Sequence, residues 1–200
     1  MDTENDEEYL RPFHCELNVL SRADGSAILT QGDTTVMTAV YGPVEVKLQR
    51  IRIDKASVEA IYRPKSGVTD RMRESLLRNT CEISLVASLY PRTSVSVIIQ
   101  EIQDSGGLMA CAVNAACLAL MNSGIAMKFL VAAVGCMIDQ DDKILIDPNN
   151  KQLKRSIVAS HTSGSFTQTQ YQECLLRCKD VSGKIFTFYR DLVKKCVENV

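Results

Sequence analysis

Tryptophan is absent and aromatic residues make up only 6% of the chain, so its core must be filled mainly by aliphatic side chains. No apolar run approaches membrane length. The longest, Phe129 to Ile138, covers ten residues, about half of the roughly 20 that a spanning helix needs. No C-x-x-C pair occurs among the eight cysteines, Cys15, Cys81, Cys111, Cys117, Cys136, Cys174, Cys178 and Cys196. Zinc-finger and disulfide frameworks are therefore weak readings. Reduced thiols serving as small hydrophobes fit better, and that usage belongs to the cytosol or nucleus. The first residues carry neither an apolar h-region nor an Arg-rich amphipathic pattern, so no signal or transit peptide is expected.

What is present is ordinary globular material. Of 200 residues, 46% are hydrophobic and 24% charged, enough for one compact domain or two small fused halves. Net charge is −1 but unevenly placed: the first nine residues hold five acids and no base. They read as a solvated acidic tail, residues 1–9, ahead of a folded domain over 10–200. Without them, 23 basic residues face 19 acidic ones.

Residues 15–20 read as a first strand. The stretch 24–43 reads as two strands around a Gly32-Asp33 turn, the second ended by Tyr41-Gly42-Pro43. Residues 44–64 alternate as one or two strands. After a Pro/Gly-punctuated loop, a helix is predicted over 70–90, with Met72, Leu76, Ile83, Val86, Ala87 and Tyr90 on its apolar side and Pro91 as its stop. Residues 93–103 form a Val/Ile-rich strand. A helix over 108–121 is apolar nearly all round, interrupted only by Asn114, and so is expected to pack on both sides. Residues 128–139 read as a buried strand, 144–147 as its return after a QDDK turn, and RSIVAS and SGSFTQT as short strands. From about Gln170 the pattern is helical, with Tyr171, Cys174, Leu175, Cys178, Ile185, Phe188, Leu192 and Cys196 as its buried face and Gly183 as a bend. This order is an α+β pattern with two similar halves.

One element carries chemistry. Gly106-Gly107 sits at the mouth of the oily helix, where free backbone N–H groups and the helix dipole favour an anion. A glycine pair alone is more often a turn. Between Lys47 and Arg78, nine basic residues face four acidic ones, which fits an RNA-facing patch, a solvated face or an interface edge equally well. Tyr62 is its only aromatic residue, so it is no stacking platform. His14 and His161 lack ligand spacing, and nothing orients Ser160-His161-Thr162-Ser163 as a nucleophile.

The stretches DGSAILTQGDTTVMTAVYGP, IYRPKSG, LLRNTCE and YPRTSVSVIIQEIQDSGGLMACAVNAACLAL resemble the RNase PH superfamily of phosphate-dependent exoribonucleases, from about Leu10 to Lys195. RPKSG, RNTCE and PRTS resemble its exosome-ring branch in particular. The resemblance implies an RNase PH-like α+β fold of two related β-α-β halves, mixed sheets packed with helices. It also implies six such subunits closing into a ring that threads single-stranded RNA.

Active members of that family carry Gly-Gly-Thr/Ser-Arg at this element. The glycines allow close approach, the hydroxyl and N–H groups bind phosphate, and the arginine clamps it. Here Gly106 and Gly107 match, but Leu108 replaces the hydroxyl residue and Met109 the arginine. A thioether cannot form a charge-assisted bidentate pair. Active members also place two aspartates after the third-quarter hairpin, whereas residues 150–157, NKQLKRSI, hold no acid, and Asp147 does not match the pair. Arginines expected around the first turn of the 70–90 helix are out of step, with Ser75 at one of their positions. Lys65, Arg71, Arg73 and Arg78 remain as candidate RNA contacts.

These departures imply a non-catalytic exosome-ring subunit with a degenerate phosphate pocket and neither cofactor nor metal. Its implied partners are other RNase PH-like ring subunits, RNA-binding cap subunits, RNA in the channel and a second copy of itself in isolation, with no membrane. The implied sites are nucleus, nucleolus and cytoplasm. The alternatives are an active phosphorolytic exoribonuclease, a metal-dependent nuclease acting as a homodimer, and an α+β domain with an unrelated binding role.

Overall fold

The computed structural model describes residues 10–45, 53–65, 67, 70–139, 143–149 and 167–198. The predicted acidic tail, the QDDK turn apart from Lys143, the acid-free stretch 150–157, RSIVAS, the first part of SGSFTQT and His161 lie outside them.

A five-stranded sheet in the order β1-β2-β3-β5-β4 forms the first half. Along β1 (Phe13–Leu17), β2 (Gly25–Gln31), β3 (Thr34–Glu45) and β5 (Thr93–Gln103), each successive pair is antiparallel. β4 (Ser57–Arg63) pairs parallel with β5, and the connection between them carries α1 (Arg71–Ser84). The Gly32-Asp33 hairpin forms as predicted, with Gly32 at a φ of 58° that favours glycine. Tyr41-Gly42-Pro43 does not end the second strand. β3 runs on to Glu45 after a register shift between Tyr41 and Val44, where the Gly42-Pro43 bond is cis.

α1 starts where Asp70 accepts from the N–H groups of Met72 and Arg73 at 3.0 and 3.2 Å. It stops six residues before the predicted end. Leu85 turns extended and forms an antiparallel bridge with Met127, leaving Ala87–Leu89 as a short 3₁₀ turn. Its phase also differs from the sequence reading. Leu77, Cys81 and Ser84 face the core, while Met72, Leu76 and Ile83 point to solvent.

α2 (Leu108–Asn122) packs across β2 and β3 and is buried along nearly its whole length. With β2, β3, β5 and α1 it makes the main core, which Ile185 and Tyr189 of α3 (Gln168–Glu198) complete. α3 runs through Gly183 as one helix. Its buried face is Cys174, Val181, Ile185 and Tyr189; Tyr171, Leu175 and Cys196 are exposed, contrary to the periodicity reading. Phe188 stacks 5.4 Å from Phe13.

The second half differs most from expectation. The predicted strand 128–139 contributes only β6 (Cys136–Ile138), paired with β7 (Ile144–Ile146). Phe129 and Leu130 are exposed. Residues 131–133 are held by side chains instead of a neighbouring strand: Val131 N–H donates to Cys117 Sγ, and Ala133 is gripped by Asn114.

Candidate functional site: a glycine cradle filled from within

β5 delivers the chain to Gly106-Gly107, and α2 departs from it. Both glycines have positive φ, 107° and 66°, and each is closely approached. A Cβ on Gly106 would meet the Pro148 carbonyl oxygen at 2.5 Å. One on Gly107 would meet Arg11 Nη2 at 2.9 Å and Asp147 Oδ1 at 3.0 Å. The glycines are therefore required, and what approaches them is this chain's own backbone and side chains.

The Arg11 guanidinium occupies the cradle. Its Nη2 donates to Gly106 O at 2.9 Å and to Asp147 Oδ1 at 2.6 Å, and its Nε donates to Asp147 Oδ2 at 2.9 Å. The Arg11 backbone N–H also donates to Asp147 Oδ2, at 3.1 Å. This is a bidentate fork, the strongest common side-chain ion pair. The Asp147 side chain is fully buried and that of Arg11 is partly buried. The paired carboxylate holds the guanidinium proton more tightly still, against the opposing effect of burial. Thr34 closes the knot: its hydroxyl donates to Gly106 O at 2.7 Å and accepts from Ser105 N–H at 3.1 Å.

The next two positions are spent on packing. Leu108 is buried in the main core and Met109 packs against it. No side chain caps α2 at its N-terminus. The glycine turn at the start of α2 thus carries a charge-neutral internal ion pair. Such a pair leaves no uncompensated positive charge for a phosphate to neutralise. Arg11 was not singled out from sequence, and Asp147 was noted only as a mismatch. Their separation of 136 positions gives no local signal.

The candidate RNA contacts do not form one group. Lys65 is exposed in the turn after β4, and Arg71 and Arg78 are exposed on α1, two turns apart. Arg73 turns inward. Its guanidinium lies 5.6 Å from the Tyr62 ring centroid and donates to the Tyr62 hydroxyl at 3.2 Å. Its Nε is 3.1 Å from Asp70 Oδ2, close enough to pair, although the N–H is not aimed at that oxygen. The Tyr62 hydroxyl in turn donates to Glu101 at 3.0 Å. Burial, above all, pushes Tyr62 up to about 12. Among the described residues no group of three or more His, Cys, Asp or Glu could hold a metal ion. No helix there is long and apolar enough to cross a membrane.

A mixed sheet whose interior strand β5 feeds a Gly-Gly turn and a buried helix defines an α+β protein with the RNase PH fold. Residues 9–126 match the 3' exoribonuclease family, domain 1 (RNase PH), and the chain belongs to that family. It is 32% identical over 219 positions to the "Exosome complex exonuclease RRP46 homolog" of Oryza sativa subsp. japonica, covering 93% of this chain and 92% of that protein. The Arabidopsis thaliana protein of the same name is 41% identical over 149 positions, 73% of this chain and 62% of the relative. The crystal structure of rice Rrp46 superposes with a TM-score of 0.86 at 33% identity, covering 94% of this chain and 97% of that one. The 219-position alignment exceeds this chain's 200 residues, so the rice protein carries residues with no counterpart here.

Proposed function

We propose that this chain is a non-catalytic subunit of the RNA exosome ring, supporting 3'-to-5' RNA processing and turnover through ring assembly and channel formation. The observation that carries this reading is the Arg11–Asp147 pair lying on Gly106 and Gly107, with Leu108 and Met109 turned to packing. An attacking phosphate needs an open cradle and a free cation, and here the cation is already neutralised at hydrogen-bond distance. Exposed apolar side chains on α1 (Met72, Leu76, Ile83) and α3 (Leu175, Leu176) support an assembled state, because they would be covered in a ring.

The partners under this reading are other RNase PH-like ring subunits, an RNA-binding cap subunit and single-stranded RNA, met by Lys65, Arg71 and Arg78. Its compartments are nucleus, nucleolus and cytoplasm. The test has two arms. The pure chain, given single-stranded RNA and inorganic phosphate, should release no nucleoside diphosphate. Affinity purification from its own cells should bring down the other ring subunits. Phosphate-dependent release of nucleoside diphosphates, abolished by Gly107→Val, would overturn the non-catalytic assignment; recovery of the chain alone would overturn the ring assignment.

A further inference from the structure

Three of the eight thiols meet in the second half of the chain, where the β6–β7 hairpin faces α3. Cys136 opens β6 and pairs across the hairpin with Ile146 of β7. Directly paired residues of an antiparallel ladder project to the same face. Ile146 belongs to the small core it shares with Ile144, Cys174 and Val181, against which Cys178 and Ile138 also pack. The Cys136 side chain is therefore directed at α3, on the face where Cys174 and Cys178 lie. Those two stand four residues apart, one turn above the other on one helix face. One hairpin sulfur thus faces two helix sulfurs, and Cys136 is also exposed to solvent.

We propose that Cys136 is an oxidation site whose sulfur, on attack by a hydroperoxide, is resolved by Cys174 or Cys178 into a disulfide tying the β6–β7 hairpin to α3. The Cys136 thiolate attacks one peroxide oxygen, the O–O bond breaks, and the departing oxygen leaves as water with the thiol's proton. The helix thiolate then attacks the sulfenic sulfur, the S–O bond breaks, the S–S bond forms, and a second water leaves. Two thiols and one hydrogen peroxide give one disulfide and two waters, with two electrons passing from sulfur to peroxide oxygen. Burial raises all three thiols, Cys136 and Cys174 to about 11. Attack therefore runs through the small thiolate fraction of Cys136, the one of the three that is exposed to solvent. Either helix cysteine can resolve the sulfenic acid, because both are presented from consecutive turns. A Cys174–Cys178 bond within the helix would tether nothing.

Trypsin separates the three sulfurs. Cleavage after Lys128 and Lys143 frees Cys136 in peptide 129–143. Cleavage after Arg155, Arg177 and Lys179 puts Cys174 and Cys178 in different peptides. The full chain is reduced, treated with hydrogen peroxide, capped with N-ethylmaleimide and digested without reductant. The expected product is peptide 129–143 linked to the Cys174 or the Cys178 peptide. Cys136→Ser should remove both links, Cys174→Ser should leave only the link to Cys178, and Cys178→Ser only that to Cys174. Oxidised protein with no link from 129–143 to either helix peptide would overturn the proposal. So would links that join only isotopically distinct molecules in a mixed-label sample. The unsubstituted chain alone decides the matter should a serine variant fail to fold.

Discussion

Asn114 and Ala133 pair as rungs of a ladder do, although one is a side chain inside a helix. Asn114 Nδ2 donates to the Ala133 carbonyl at 2.9 Å, and the Ala133 N–H donates to Asn114 Oδ1 at 2.7 Å. The Tyr189 hydroxyl donates to the same Oδ1 at 3.1 Å or to the Val131 carbonyl at 3.2 Å. One amide therefore joins α2, the 131–133 segment and α3. Asn114→Leu keeps the volume but strands the Ala133 N–H and carbonyl. It should cost about 3 kcal/mol, since each buried orphan is worth roughly 1–3. Urea unfolding should show a lower midpoint with an unchanged m value. A loss under about 0.5 kcal/mol would mean that the contact does not hold the segment.

The Arg11–Asp147 pair should behave as a coupled unit. Arg11→Ala leaves a fully buried carboxylate without its partner, and Asp147→Ala leaves a guanidinium over two glycines. Each single change should cost about 3–5 kcal/mol. The double variant should cost much less than their sum, because it leaves no lone charge. Additive losses in a double-mutant cycle would show that the two side chains are held independently.

The first half of the fold was largely legible because its signals are local. A Gly-Asp turn, Val/Ile alternation and an all-round apolar helix each specify themselves. α1 was misread because its sequence carries two apolar stripes, and periodicity cannot say which one meets the sheet. The structure buries Leu77 and Cys81 and exposes Met72 and Leu76. Its end was misread because the Leu85–Met127 bridge, a partner 42 positions away, pulls the chain into extended backbone. In the site, the glycines and the apolar Leu108-Met109 pair that follows them were visible as residue types. The Arg11–Asp147 ion pair was not, since nothing local links position 11 to position 147.

Leu76 offers a stability-neutral probe of assembly. It is 51% exposed on α1 between Met72 and Ile83, so a charge there meets water in the free chain. Leu76→Glu should shift the unfolding free energy by less than about 0.5 kcal/mol. Under the ring reading, it should sharply reduce co-purification with RNase PH-like subunits. Unaltered co-purification would place the interface elsewhere.

Alkaline pH should unfold the chain in a definable window. Burial, the largest cause in each case, pushes the Cys15, Cys81 and Cys111 thiols up to about 12 from 9.0 and Tyr62 up to about 12 from 10.0. A raised pKa means that the folded state binds the proton more tightly. The associated stability is fully present below pH 9 and is lost as pH rises towards 12. Circular dichroism between pH 8 and 12 should show cooperative loss of structure in that interval. Thiols that titrate near pH 9 in the intact fold would contradict their burial.

Restoring the arginine of the clamp should not restore phosphorolysis. Met109 packs against the main core, so Met109→Arg must first pull its stem from apolar contacts, at a cost in stability. Even a guanidinium that reached the cradle would find it occupied by Arg11, whose own charge is paired with Asp147 at 2.6 Å. Two cations over one buried carboxylate repel, and a bound phosphate would also have to displace that fork. The variant should release no nucleoside diphosphate from RNA with phosphate added. Its Tm should fall by several degrees, consistent with a loss on the order of 1–2 kcal/mol. Combining it with Arg11→Ala opens the cradle and tests steric occupation separately. Phosphate-dependent turnover by Met109→Arg alone would show that the missing clamp was the only barrier and that the Arg11–Asp147 pair yields to substrate.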